Sequence, residues 1–229
     1  MSRCSRCGFE LPEDEEARFC PNCGAPIRMA AQPSAYAERT LGKAGSVEVR
    51  PLKVSLLKRL KLIAIFFAVG FLSTVAGVLS SVDPSEAQMI VRETENLRDT
   101  ILNTPGIGVA AIFGNNLMHC LLMFVPVLGL IQGVYVLYST GRVLAALGML
   151  YGSDPLHLML VMMVFPHAVM EYVAYSIALS ESFWLTYVTA RGGLKAARRE
   201  LNDAAKMIVV STVILLLAAV VEMVILLQT

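Results

Sequence analysis

The sequence is poor in charged residues, and it contains a single tryptophan and only three histidines. Charged residues make up 16% of the 229 residues and hydrophobic residues 56%, whereas ordinary soluble domains contain about 25% charged residues. The 19 basic and 18 acidic residues leave a net charge of +1. This balance gives no indication of a nucleic-acid partner, which favours a strongly basic surface.

A secretory signal is also lacking. Such a signal has a short basic region followed by an apolar run near the start of the chain, but the first apolar block here begins only near Leu62. We therefore expect no cleaved signal and a cytoplasmic amino-terminal segment. Four of the five cysteines lie in the first 23 residues, and in a reducing compartment such a cluster favours metal binding over disulfides.

These four cysteines form two Cys-x-x-Cys pairs separated by twelve residues: Cys4, Cys7, Cys20 and Cys23. Each pair is followed by a glycine, which suits a tight metal-binding turn. The spacing resembles that of short zinc ribbons and predicts one structural Zn²⁺ in residues 1–27, with no open position for catalysis. A dithiol redox role is the alternative. Residues 28–54 are predicted to be a linker, because they lack an apolar period.

The rest of the chain, residues 55–229, is dominated by long uncharged runs. Leu62–Val82 has 21 residues without a charge, enough to cross a hydrocarbon layer about 30 Å thick. Further spans are predicted at 106–126 and 128–150, separated near Pro126, and then at 156–178 and 207–227. The sequence therefore predicts an all-α polytopic membrane protein with about five transmembrane helices behind a small zinc ribbon.

Residues 183–203 have a different pattern, with apolar side chains every three or four positions and basic ones mainly on the other side. This pattern is typical of a helix lying in the membrane interface with Trp184 as an anchor, and an ordinary connector is the alternative. Ten Lys and Arg residues flank one side of the spans and two flank the other. This bias predicts a cytoplasmic amino terminus and an extracytoplasmic carboxy terminus in the cell membrane.

Several polar residues fall inside the predicted spans, where each needs a physical reason. Three interpretations remain open: hydrogen bonds that fix helix packing, a polar path for a transported species, or a catalytic or metal site built from His119, His167 and Glu171. His167 and Glu171 are one helical turn apart and within reach of each other. Cys120 is interpreted as a small packing residue. The polar set is Asn115, Asn116, His119, Arg142, Pro166, His167 and Glu171.

Two of these motifs resemble a known family. Ile112-Phe-Gly-Asn-Asn-Leu117, followed by Phe165-Pro-His-Ala-Val-Met-Glu171, is similar to the paired-Asn and Pro-His-small-x-x-Glu motifs of the stage II sporulation protein M (SpoIIM-like) family. The resemblance covers about residues 55–228, with Ala168 in place of the usual glycine. It implies a polytopic membrane protein that acts in a complex. The amino-terminal zinc ribbon is not part of the sporulation protein's pattern.

The sequence-based hypothesis for function is a non-enzymatic membrane scaffold or adaptor. Its zinc ribbon would recruit a cytoplasmic protein, and its body would contact membrane lipid and associate into a homo-oligomer. A permease or transporter component that uses the polar residues as a path is the alternative. An intramembrane hydrolase is a weaker one, because the chain has no nucleophile motif and no His-Glu-x-x-His pattern.

Overall fold

The structure is a computed structural model, and it describes residues 3–4, 6–10, 19–20, 22–25 and 56–228. The chain divides into two compact units, Met1–Glu48 and Val49–Thr229. The predicted linker, residues 28–54, lies outside the described residues.

The second unit is a bundle of helices, and no strand occurs in the described part of the chain. This confirms the all-α membrane fold. Among the described residues, three helices are long and apolar enough to cross a membrane: Leu56–Val78, Leu128–Tyr151 and Pro166–Leu226. The count of five spans stays a prediction. The helices are α1 (Leu56–Val78), α2 (Pro84–Asn103), α3 (Pro105–Met123), α4 (Leu128–Tyr151), α5 (Pro155–Val164) and α6 (Pro166–Leu226).

Proline marks where most of these helices begin. Helices α2, α3, α5 and α6 each have proline in the first turn, where its missing N–H group would be unpaired anyway. The predicted fourth span, 156–178, is not one helix. Helix α5 ends at Val164, and Phe165 is extended (φ −74°, ψ 127°) before α6 begins at Pro166. Proline disfavours a helical conformation in the residue before it, which explains the break.

The polar segment after the first span folds into helix α2. Its apolar side packs on α4, where Ala87 and Val91 are buried with Ala146. Arg142 of α4 forms an ion pair with Glu86 of α2. The predicted intramembrane arginine is therefore paired with the acidic segment next to the bundle.

Helix α6 is a hairpin with two antiparallel arms, 166–192 and 194–226. Gly193 has φ 66° and ψ −172°, a conformation open essentially only to glycine. Trp184 Nε1 donates to Glu200 Oε2 at 3.2 Å, and Ser211 Oγ donates to the Ala174 carbonyl at 3.4 Å. The prediction of one interfacial helix over 183–203 is therefore wrong, because those residues are divided between the two arms.

A buried ionic network joins the hairpin to the start of α1. The Arg59 side chain, 11% exposed, pairs with Glu181, with Glu200 at 2.9 Å and with Asp203 at 3.4 Å. The Glu181 side chain is only 3% exposed, and removing one partner from a buried pair leaves a costly unpaired charge. This network places the basic first turns of α1 and the residues around the hairpin turn at the same end of the bundle.

Helices α1 and α4 approach each other closely enough for backbone contact. A Cβ atom added to Gly77 would lie 2.1 Å from the Tyr138 carbonyl oxygen, and one added to Gly141 would lie 2.1 Å from the Thr74 carbonyl oxygen. Small residues permit such approaches in membrane bundles, where van der Waals packing drives association. Thr74, on the same face, is fully buried and donates to the Leu137 carbonyl of α4 at 3.0 Å.

Replacing Gly141 with alanine should therefore destabilise the bundle. We expect Gly141→Ala to cost about 1–3 kcal/mol through overpacking, measured as a lower midpoint temperature of unfolding in detergent. Gly114→Ala is the matched control, since a Cβ at Gly114 meets nothing within 4 Å and alanine favours helix over glycine. Equal midpoints for the two variants would contradict the close contact.

Candidate functional site

Polar residues of α3 and α6 meet just after the helix break at Phe165. Asn116 Nδ2 of α3 donates to Glu171 Oε1 of α6 at 2.6 Å. Asn115 Nδ2 in turn donates to Asn116 Oδ1 at 3.4 Å. The paired asparagines and the glutamate, which are 55 residues apart in the sequence, therefore form one hydrogen-bonded chain.

His119 and His167, the two histidines of the polar set, make separate contacts. His119 Nδ1 lies 3.2 Å from Gln132 Nε2 of α4, and the His167 ring stacks on Phe165 with centroids 5.7 Å apart. His167 Nδ1 is buried without a hydrogen-bond partner in the described residues. Glu171 thus pairs with Asn116 of the neighbouring helix, one of the two partners that the sequence left open, the other being His167.

Asn115, Asn116, His167 and Glu171 line a cavity of about 280 Å³, which we call the polar cavity. It lies between α2, α3, α5 and both arms of α6, and no Lys or Arg occurs among the described residues that line it. Because two carboxylates border it, the cavity has an acidic character. The lining residues are Leu97, Ile101, Ala111, Ile112, Asn115, Asn116, Met162, His167, Ala168, Glu171 and Glu222.

Glu222 also lines this site, although the sequence did not indicate it. It appeared as a single acid near the end of the last apolar run, a position that often faces water. The hairpin at Gly193 returns the second arm of α6 alongside the first and brings Glu222 to the cavity that Glu171 lines. The sequence showed Glu222 only as one acid in an otherwise apolar segment. That it lines the same cavity as Glu171 depends on the direction of the second arm of α6.

A second polar cavity of about 350 Å³ continues from the first toward α4. Asn115, Asn116 and Glu171 line both cavities, and His119 and Tyr135 line the second. Polar side chains of α6, α3 and α4 therefore line adjoining cavities, with Asn115 and Tyr135 on the exposed side. Arg142 lines neither cavity, because it pairs with Glu86, and Pro166 contributes by starting α6.

The metal interpretation of His119, His167 and Glu171 finds no support in the geometry. Within the described residues, these side chains do not form a group whose ligand atoms could share a metal ion. Cys120 is 1% exposed and its Sγ lies 3.9 Å from the Ala174 carbonyl oxygen. Such a thiol is a packing group between α3 and α6.

The four amino-terminal cysteines form a second candidate site. Their Sγ atoms all lie within 4.8 Å of one another, with Cys4–Cys23 and Cys7–Cys20 at 3.7 Å. A tetrahedral ion with sulfur at about 2.3 Å separates its ligands by about 3.8 Å. The arrangement therefore fits one four-coordinate metal ion.

The two cysteine pairs repeat the same backbone turn. Gly8 N donates to the Cys4 carbonyl and Gly24 N to the Cys20 carbonyl, both at 2.9 Å. Both glycines have positive φ, 71° and 67°, which glycine adopts without steric cost. The glycine after each pair is thus explained by the turn.

Backbone amides in the first turn favour the thiolate form that binds metals. A hydrogen bond from the Arg6 backbone, and a weaker contribution from the Cys7 backbone, lower the pKa of Cys4 to about 6. The backbone N–H of Phe9 likewise lowers the pKa of Cys7. Fixed donors stabilise the negative charge on sulfur. The turn therefore favours the thiolate form of Cys4 and Cys7 before a metal ion binds.

Comparison with known proteins identifies one family. The family model described as Stage II sporulation protein M matches residues 63–225. No curated protein and no solved structure matches the chain. The match covers the helical body, including both polar motifs, and leaves out the cysteine unit.

We predict one bound metal ion per chain. Cys4→Ser should reduce the metal content to background, because three thiolates leave a tetrahedral site incomplete, and inductively coupled plasma mass spectrometry of the purified full chain measures it. Cys120→Ser, which removes the cysteine of the helical body, should retain the ion. Metal retained by Cys4→Ser and lost by Cys120→Ser would overturn this assignment.

Proposed function

Because this chain belongs to the stage II sporulation protein M family and carries acids and amides around a cavity between its helices, we propose that it is a component of a membrane permease. The helix break at Phe165 carries the proposal. It interrupts a predicted span and leaves His167 and Glu171 on the first turns of α6, at the polar cavity. Broken helices at membrane depth are tolerated where they line a cavity, and transporters use them to bind substrates.

The charge of the cavity suggests the charge of the solute. Glu171 and Glu222 are its acids, and the described lining has no basic side chain to balance them. A buried carboxylate is costly in a low-dielectric environment unless a counter-charge or a proton accompanies it. We therefore propose a positively charged substrate, with the two polar cavities as its path.

The cysteine unit supports a second role, that of an adaptor. We propose that the cysteines hold a structural Zn²⁺, because four thiolates in tetrahedral spacing are typical zinc ligands. The chain divides into Met1–Glu48 and the helical body, and a separate metal-folded unit is suited to recruiting another protein. In this proposal the unit lies in the cytoplasm and binds a soluble protein. The helical body contacts lipid and self-associates.

Flux of tetramethylammonium through proteoliposomes tests the permease proposal. This ion stays charged at every pH and crosses bare lipid poorly. We expect saturable uptake above that of empty liposomes, reduced about tenfold in Glu171→Gln through the loss of one charge interaction. Radiolabelled ion inside the vesicles is the measurement.

The matched control is Glu93→Gln, which removes the same charge from an exposed position on α2. It should transport like the unaltered protein. Uptake equal to that of empty liposomes, or uptake by Glu171→Gln at the unaltered rate, would contradict a path through the polar cavity.

Deletion of residues 1–27 tests the adaptor role. The helical body should remain inserted and folded, because its described packing lies within 56–228, while a soluble protein that copurifies with the full chain should be lost. Mass spectrometry of both preparations in mild detergent identifies that protein. An unfolded body after deletion, or an unchanged set of copurifying proteins, would argue against modular recruitment.

A further inference from the structure

The polar cavity lies next to an apolar one. A cavity of about 410 Å³, which we call the apolar cavity, shares Met162, His167 and Glu222 with it. Typical ligand pockets hold about 300–1,000 Å³. The polar cavity alone is slightly below that range, whereas the two together lie within it.

The two cavities differ in chemistry. Leu144 and Leu147 of α4, Val161 of α5 and Ile225 of α6 line the apolar cavity. Glu171 and the asparagines line only the polar side. A ligand that occupies both must therefore combine a polar head with an apolar body, because each part would be poorly matched to the other cavity.

The junction between them carries an unused hydrogen-bonding atom. His167 Nδ1 is buried and has no partner in the described part of the chain, and buried polar atoms without partners are rare in folded proteins. Glu222 lies on the same junction. A cationic head group placed there meets the Glu222 carboxylate, and a head group that also carries an N–H can donate to His167 Nδ1.

We infer that the two cavities form one binding site for an amphiphilic cation, with its charged head beside Glu171 and Glu222 and its alkyl part in the apolar cavity. Charge complementarity selects the sign of the head, since the described lining of both cavities contains acids and no Lys or Arg. The inference deepens the permease proposal by naming the class of substrate. Binding itself does not require transport.

Equilibrium dialysis of radiolabelled dodecyltrimethylammonium tests this site on the full chain in a neutral detergent, with binding to protein-free micelles subtracted. We expect saturable binding to one site, at least about tenfold tighter than that of tetramethylammonium, because the alkyl chain buries apolar surface. Dodecanol and dodecanoate should compete at least about tenfold more weakly, because they lack the positive charge.

Two variants separate the contribution of the charged head to binding from that of the alkyl chain. Glu222→Gln should weaken dodecyltrimethylammonium about tenfold, with Glu93→Gln as the control of equal charge change. Val161→Trp should fill the apolar cavity and weaken the dodecyl compound without changing tetramethylammonium. Val220→Trp is its control, since Val220 is 43% exposed and lines neither cavity.

The outcomes distinguish this inference from the permease proposal. Equal affinity for dodecyltrimethylammonium and tetramethylammonium, or no effect of Val161→Trp, overturns the amphiphile site and leaves the path intact. Dodecanol or dodecanoate that competes as well as the cation also overturns it. Binding that depends on Glu222, without any flux of tetramethylammonium, supports the site and overturns the permease role.

Discussion

Pro166 has no backbone N–H group, and much of the helical body depends on that missing donor. Proline cannot continue the hydrogen bonding of α5, and it disfavours a helical conformation at Phe165, which is extended. The chain therefore starts a new helix inside an apolar segment. The first turns of that helix place His167 and Glu171 at the polar cavity, where Asn116 donates to Glu171 at 2.6 Å. The break in the helix thus accounts for the position of these polar side chains.

The hairpin at Gly193 has a comparable effect at the other end of α6. A left-handed backbone there sends the second arm back along the first, and Ser211 reaches the Ala174 carbonyl as a result. The same reversal delivers Glu222 to the cavity and brings Glu200 to Arg59. One glycine conformation therefore sets both the acidity of the cavity and the ionic contact with α1.

The cysteine unit depends on different physics. A unit of this size buries little apolar surface, so a metal ion held by the four cysteines would contribute directly to its folding. Cys4 and Cys20 are buried next to Ala25, a very small apolar cluster. The helical body, in contrast, depends on helix packing such as that of Gly77 against Gly141. The two parts of the chain are thus stabilised by unrelated interactions.

The sequence alone determined the features that depend on local spacing and composition. Two Cys-x-x-Cys pairs place four sulfurs within reach of one metal ion because each pair is a single turn. Uncharged runs of membrane length predict apolar helices because lipid excludes charges. The paired asparagines and the Pro-His motif likewise indicated the family, because each motif is a short pattern of neighbouring residues. Only the tertiary structure decided which polar residues share a cavity. Arg142 pairs with α2 and Glu222 joins Glu171, because such partners depend on the packing and direction of helices that are distant in the sequence.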